Sequence, residues 1–368
     1  SQRMSRCFNF SAGPSELPLE VLEQVRDELL DFRGTGCSIM EISHRSKAFT
    51  EVHNETQQML RSLLDIPEEY DILFMQGGGH MQFSMVPLNL MAPVSADPSR
   101  RGGGCYIVNG TWSRKAAHEA GRLGGISIAA EGDETNVPQQ QDLRIPEDAS
   151  YVYYCDNETV HGIEFNYVPD TGRVPLVADM SSNILTRPFD IRKFGAIWFG
   201  AQKNFGIAGL TIAAVRHDLI GRAPENCPVM LDWKSYSSKN SMRNKPPNYA
   251  IDIGKLVCHW LEKQGGVHEM AKRAAEKSGA LYSVIDASDG FYSGKVKPAF
   301  RSRMNVTFWL KDESLNDLFV EEAAALGLKN IRGHRSIGGM RASVYNAVPT
   351  EGATQLADFM KDFERRHG

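Results

Sequence analysis

The chain has 368 residues, 42% of them hydrophobic and 23% charged, with a formal net charge of −4. That length and composition suit a globular protein with room for two cores. The weakly acidic balance gives no electrostatic footing for nucleic acid or anionic membranes, and no apolar run approaches the ~18 residues of a membrane helix.

The first residues, Ser-Gln-Arg-Met-Ser-Arg, hold no apolar stretch and do not read as a secretory signal, so the cytoplasm is the expected compartment. Val21, Leu22, Val25, Leu29 and Leu30 recur at helical spacing over 18–31, and Phe49, Val52, Met59, Leu60, Leu63 and Leu64 do so over 47–64. A short buried strand is expected at Asp71–Met75, followed by Gly77-Gly78-Gly79 and a helix over 81–90. Further strands are expected at 105–108, 127–130, 151–155, 175–179, 196–199 and 210–215, with helical stretches between several of them. This alternation predicts an α/β fold with a mostly parallel sheet.

Beyond residue 260 the pattern changes. A long amphipathic helix over 267–286 precedes an alternating strand over 304–310 and a helix over 314–326. A turn at Gly338-Gly339, a strand over 341–348 and a last helix over 351–366 follow. The expected division is a large unit over 16–260 and a smaller α+β unit made of 1–15 and 261–368. Two polar or Gly/Pro-rich loops stand out, at 93–104 and 234–248.

Two strand ends carry chemistry. The run Val174–Ala178 closes on Asp179, and Ala196–Phe199 leads into Gly200-Ala-Gln-Lys-Asn-Phe-Gly206, which contains Lys203. An acid and a lysine closing successive buried strands suit pyridoxal phosphate: the acid keeps the ring nitrogen protonated and the lysine forms the Schiff base. Each alone has a plainer reading, a snorkelling lysine and an N-cap for Ser181-Ser182-Asn183; the pairing displaces both.

The glycine triplet lies between a strand and a helix, where bare amides can hold a phosphate, although taken by itself it reads first as a plain tight turn. It matches neither a Walker A loop nor GxGxxG. Trp112 could stack on a pyridine ring or fill the core, and Thr159 could bond a cofactor oxygen or a turn. His44-Arg45-Ser46 and His334-Arg335-Ser336 repeat one tripeptide, with Arg341 close behind. Guanidinium forks match carboxylate and phosphate, so this set suits a substrate with several anionic groups; solvent-facing cations are the plainer reading. The six cysteines form no CxxC pair and no His-x-x-x-His occurs, so neither a disulfide framework nor a metal centre is expected.

The chain resembles, almost end to end, the phosphoserine aminotransferase family of fold-type-I pyridoxal-phosphate enzymes within the class V aminotransferases. The motifs that carry the resemblance are Asn9-Phe-Ser-Ala-Gly-Pro14, Glu41-Ile-Ser-His-Arg45, Gln76-Gly-Gly-Gly79 with Gln82-Phe83, and Tyr153-Tyr-Cys155 with Asn157-Glu-Thr159. Asp179-Met-Ser-Ser182, Gly200-Ala-Gln-Lys-Asn204, Gly333-His-Arg335 and Gly338-Gly-Met-Arg-Ala-Ser343 complete them.

The resemblance implies a seven-stranded-type sheet in the large unit and amino transfer between glutamate and 3-phosphohydroxypyruvate, a step of serine biosynthesis. It leaves open whether 4-phosphohydroxythreonine, of pyridoxine biosynthesis, is also a substrate. It implies that Lys203 carries the cofactor and moves the Cα proton, that Asp179 pairs with the ring nitrogen, that Trp112 stacks and that Thr159 bonds the 3′-oxygen. Gly79, His80 and Gln202 would hold the phosphate. Arg341 would take the substrate α-carboxylate, and His44, Arg45, His334 and Arg335 its second anion.

A homodimer is further implied, with Asn244 and Lys245 reaching the cofactor phosphate of the other chain. Here the chain departs from the family's usual Asn-Thr-Pro-Pro, reading Asn244-Lys245-Pro246-Pro247, and His80 stands where relatives carry arginine or cysteine. Two other readings stay open. One is another fold-type-I enzyme, such as a cysteine desulfurase or an alanine–glyoxylate-type aminotransferase. The other is a non-enzymatic phosphate-binding module, which leaves Asp179 and Lys203 without a role.

Overall fold

A computed structural model describes residues 6–91 and 102–368. Most of the loop expected at 93–104 therefore lies outside the described residues. Seven strands form the main sheet: β1 (Tyr70–Met75), β2 (Gly104–Val108), β3 (Ile126–Glu131), β4 (Tyr151–Cys155), β5 (Leu176–Asp179), β6 (Ala196–Gly200) and β7 (Thr211–Arg216). Their spatial order is β1-β7-β6-β5-β4-β2-β3. All neighbours pair in parallel except β7, which runs antiparallel to both β1 and β6.

Every residue of β2, β4, β5 and β6 is buried, as continuous apolar strands must be when both faces are covered. Successive side chains alternate between two cores. Val152, Tyr154, Ala178, Ile197 and Phe199 face one, with Val52 and Leu60 of the helix Lys47–Leu64 and Leu256 of the helix Asn248–Gln264. Tyr153, Val177 and Trp198 face the other, with Phe83 and Val86 of the helix Gly78–Leu90 and Ala116 of the helix Thr111–Leu123.

A second, antiparallel sheet of β8 (Tyr292–Ser293), β9 (Asn305–Leu310) and β10 (Met340–Ser343) has the order β8-β9-β10. It packs with the helices Gly266–Ala287, Asn316–Ala325 and Thr350–His367 around a core that includes Leu281, Phe308, Phe319 and Phe363. The start of the chain joins this unit, Phe8–Asn9 pairing in parallel with Leu328–Lys329.

Three local expectations change. The strand expected over 341–348 ends at Ser343: Val344 N still donates to Met304 O, but Asn346 N goes to Asn204 Oδ1 and Asn346 Nδ2 to Leu185 O, which turns the chain back toward the main sheet. The helix expected at 81–90 starts at Gly78, one turn early, on Gly77 at φ 98°. At Gly77 a Cβ would stand 2.5 Å from that of Met81, so glycine is required twice over. The first part of the loop expected at 234–248 instead belongs to a short helix, Trp233–Ser237, capped by the Asp232 side chain on Lys234 N.

Candidate active site

The carboxyl ends of parallel strands, where open α/β sheets place their sites, converge here on a cavity of about 420 Å³. Asp179 ends β5, flanked in register by Cys155 of β4 and Trp198 of β6. Lys203 sits on the turn that leaves β6 and lines the same cavity. The N-terminal strap closes over it: Ser15 N donates to Gln202 O at 2.9 Å, and the Ser15 hydroxyl donates to Lys203 O. Gly13, at φ 153°, lies against the lysine stem, a Cβ there standing 3.4 Å from Lys203 Cε.

The Asp179 carboxyl is almost wholly buried, and burial pushes its pKa above the usual carboxylate range. Hydrogen bonds from Ser181 and the nearby Lys203 charge pull the other way without reversing it. One oxygen accepts Ser181 N at 2.9 Å. Among the described residues no cation pairs directly with this carboxylate, so it is suited to a cationic group brought in by a ligand.

Trp112 forms one wall. Its Nε1 donates to Thr159 Oγ1 at 2.8 Å, and its backbone N donates to Glu158 Oε1 at 2.9 Å. Glu158 also accepts from Ser113 N at 3.0 Å and Ser113 Oγ at 2.5 Å, so a buried carboxylate caps the first turn of the helix Thr111–Leu123. Burial raises the Glu158 pKa, and its bonds from Ser113 and Trp112 lower it. Gly79 and His80 bring the first turn of another helix to the cavity. The Gly79 Cα packs so close to Trp198 that a Cβ would approach the indole to 3.3 Å.

The opposite side of the cavity is cationic. Arg341 Nη1 donates to Thr159 O at 3.0 Å, and burial pushes its pKa down. Among the described residues it has no carboxylate partner within ion-pair distance. Burial, then the charges of Arg341, Arg335 and Lys115, lower the His334 pKa. Its Nδ1 accepts Ser336 N at 3.1 Å, which leaves Nε2 to donate to a ligand.

Nine of the fourteen residues singled out in the sequence thus line one cavity: Gly79, His80, Trp112, Thr159, Asp179, Gln202, Lys203, His334 and Arg341. Arg335 is exposed beside His334. His44, Arg45, Asn244 and Lys245 lie outside the cavity in the single chain. His44 and Lys245 belong to neighbouring loops tied by Asn248 Nδ2 donating to Ile42 O at 2.8 Å. Burial and then the Arg45 and Lys245 charges lower the His44 pKa.

Sequence reasoning missed Glu158 as the carboxylate that seats Trp112, and Gly13 as the cover of Lys203. Both stand inside quoted motifs, and their partners are 45 or more residues distant in the chain.

Comparison with known proteins accounts for this arrangement. The family model described as "Aminotransferase class-V" matches residues 7–356. The chain belongs to the class V aminotransferases. The enzyme is 49% identical to a phosphoserine aminotransferase of Acidithiobacillus ferrooxidans, over 98% of this chain and 99% of the relative. It is 47% identical to that of Bacillus cereus over the same shares. Among solved structures, the phosphoserine aminotransferase from Bacillus circulans subsp. alkalophilus superposes with a TM-score of 0.94 at 42% identity, covering 99% of both chains. The PLP-bound phosphoserine aminotransferase from Trichomonas vaginalis gives 0.91 at 39%, covering 97% of this chain and all of the other.

Proposed function

We infer that the enzyme is a pyridoxal-phosphate-dependent phosphoserine aminotransferase. It moves the amino group between L-glutamate and 3-phosphohydroxypyruvate, giving O-phospho-L-serine and 2-oxoglutarate, in the serine biosynthesis of the cytoplasm. The observation that carries this reading is the cavity itself, with Asp179 and Lys203 at one side and Arg341, free of any described carboxylate, at the other.

The residues fit the cofactor. A buried carboxylate without a direct cationic partner suits a protonated ring nitrogen, the Trp112 indole suits a ring face, and the helix start at Gly79 and His80 suits a phosphate. When bound, pyridoxal phosphate supplies an electron sink that acidifies the substrate Cα–H. In our reading Asp179 holds the ring nitrogen protonated, and Lys203 Nζ forms the covalent attachment and carries the proton to and from Cα. Trp112 stacks on the ring, Thr159 bonds the 3′-oxygen, and Gly79, His80 and Gln202 hold the phosphate. Arg341 takes the α-carboxylate as a bidentate fork, and His334 and Arg335 meet the second anion.

We place His44, Arg45, Asn244 and Lys245, which are partly or fully exposed in one chain, at the cavity of a second copy in a homodimer. We also read the chain as two units, 16–260 and 1–15 with 261–368, with the cavity between them. Parallel assays test the function. Turnover of 3-phosphohydroxypyruvate should exceed that of hydroxypyruvate by about 100-fold, since leaving the cation set unpaired costs about 3 kcal/mol. Equal rates with the two acceptors, or preference for alanine or cysteine as donor, would overturn it. Including 4-phosphohydroxythreonine decides whether that substrate is shared.

A further inference from the structure

The short segment 157–161 leaves β4 and runs between the two sheets, and its alternate residues dock on the smaller one. Asn157 Nδ2 donates to Asn305 Oδ1 at 2.8 Å. Thr159 O accepts Arg341 Nη1 at 3.0 Å. His161 O accepts Thr307 Oγ1 at 2.9 Å. Asn305 and Thr307 lie on the face of β9 opposite the core residues Val306 and Phe308, and in register they face Ser343 and Arg341 of β10. Two bonds from β9 therefore bracket the single bond that Arg341 makes to the same segment.

The other side of this segment faces the floor of the cavity. Asn157 Nδ2 also donates to Ser182 Oγ at 2.7 Å, three residues past Asp179. Glu158 and Thr159 hold both ends of Trp112. Asn305 Nδ2 continues the network to Ser343 Oγ at 2.8 Å and Tyr345 Oη at 3.2 Å, and Tyr345 Oη donates to Ala12 O at 2.6 Å, in the strap over Lys203. Asn157, Ser182, Asn305, Ser343 and Tyr345 are all buried, Asn305 completely.

Apolar residues would bind two units as strongly, but they slide, whereas hydrogen bonds made at fixed positions along β9 and β10 favour one register. We propose that Asn305 and Thr307 are positioning residues that hold Arg341 at a set offset from the Asp179–Lys203 floor, through the segment 157–161. This rests on the reading of Arg341 as the carboxylate anchor. Neither residue touches substrate; both act through Arg341.

The test is a double-mutant cycle on holoenzyme. Thr307→Val keeps shape and deletes one bond, and Asn305→Ala deletes the larger node. Each is made alone and with Arg341→Lys. The readouts are KM and kcat for glutamate, the dissociation constant of the non-reacting dicarboxylate maleate by calorimetry, the cofactor absorption spectrum and the melting midpoint.

Thr307→Val should raise the maleate dissociation constant and the glutamate KM by about 3- to 10-fold, while kcat and the spectrum hold, because uniform binding is what is lost. Added to Arg341→Lys it should cost little more, since coupled residues are not additive. A lowered melting midpoint with unchanged maleate binding, or penalties that add in full, would overturn the proposal and leave these residues structural. Should Asn305→Ala fail to fold, Thr307→Val carries the same decision. Arg341→Lys alone with unchanged maleate binding would instead remove the underlying reading of Arg341.

Discussion

The floor of the cavity and its cationic side are built by opposite means. Asp179 ends the fully buried strand β5, and Lys203 follows the fully buried β6 by three residues, on a turn tied down by the Ser15 hydroxyl, so packed strands fix the backbone at or just before both. His334 and Arg335 stand on a glycine-rich turn, and the Arg341 guanidinium is oriented by one bond to a carbonyl. Bond-making needs placement to a fraction of an ångström, which packed strands supply. Two substrates with different distal anions need an adaptable set of cations, which a turn supplies. The contrast separates the step that is common to both half-reactions from the recognition that differs between them.

Removing the floor should have the largest effect. Lys203→Ala should abolish turnover and any borohydride-reducible colour while leaving the fold intact by circular dichroism. Removing the anchor should cost less: Arg341→Ala should weaken binding of both substrates by about 10- to 100-fold, the worth of a charged hydrogen-bonding partner, with KM as the readout. An unchanged KM for both would show that the cationic side recognises nothing.

Asp179→Asn sharpens the comparison from the stability side. Burial holds the folded-state pKa of Asp179 above its unfolded value. Its contribution to stability is therefore present below the unfolded pKa and is lost as pH rises through the folded one. Without cofactor, Asp179→Asn should melt higher than the parent near neutral pH, with the gap closing toward acid; with cofactor, it should bind more weakly. A parent apoprotein that melts higher at neutral pH would contradict the burial argument.

Lys277 offers the same logic with the opposite sign. Its Nζ is buried and donates to Tyr345 O at 2.7 Å and Val348 O at 2.9 Å, and burial brings its pKa down to about 7. A lysine whose folded pKa is depressed makes stability rise with pH from that value toward the unfolded one, and Lys277→Met should flatten that rise in chemical unfolding. The smallest effect is expected at Lys245. Lys245→Ala should weaken cofactor retention by about 2- to 5-fold if the lysine serves a second copy as an exposed charge, and by nothing if it faces solvent.

How far the sequence could be read follows the same division. The parallel strands were legible because the apolar runs are four to six residues long, too short for helices, and recur between helical stretches, and Asp179 and Lys203 stood out as charges at or just past the ends of such runs. The small unit was less legible. β8 has only two residues, and the strand expected through residue 348 stops at Ser343 because Asn346 bonds to Asn204 and Leu185, partners 142 and 161 positions away. Glu158 looked like any acid in a turn; only the fold brings Trp112 and Ser113 to it. His44 and Lys245 share a surface that a single chain leaves outside its own cavity, so neither periodicity nor one chain's fold completes their role.

The central claim is that Lys203, held by the end of β6 and covered by Gly13, is the cofactor lysine. Borohydride reduction of the purified enzyme followed by peptide mass mapping tests it directly. The account predicts one modified peptide, containing Lys203 and heavier by the reduced pyridoxyl phosphate. The modification on any other lysine, or a Lys203→Ala protein that is still coloured and reducible, would contradict it.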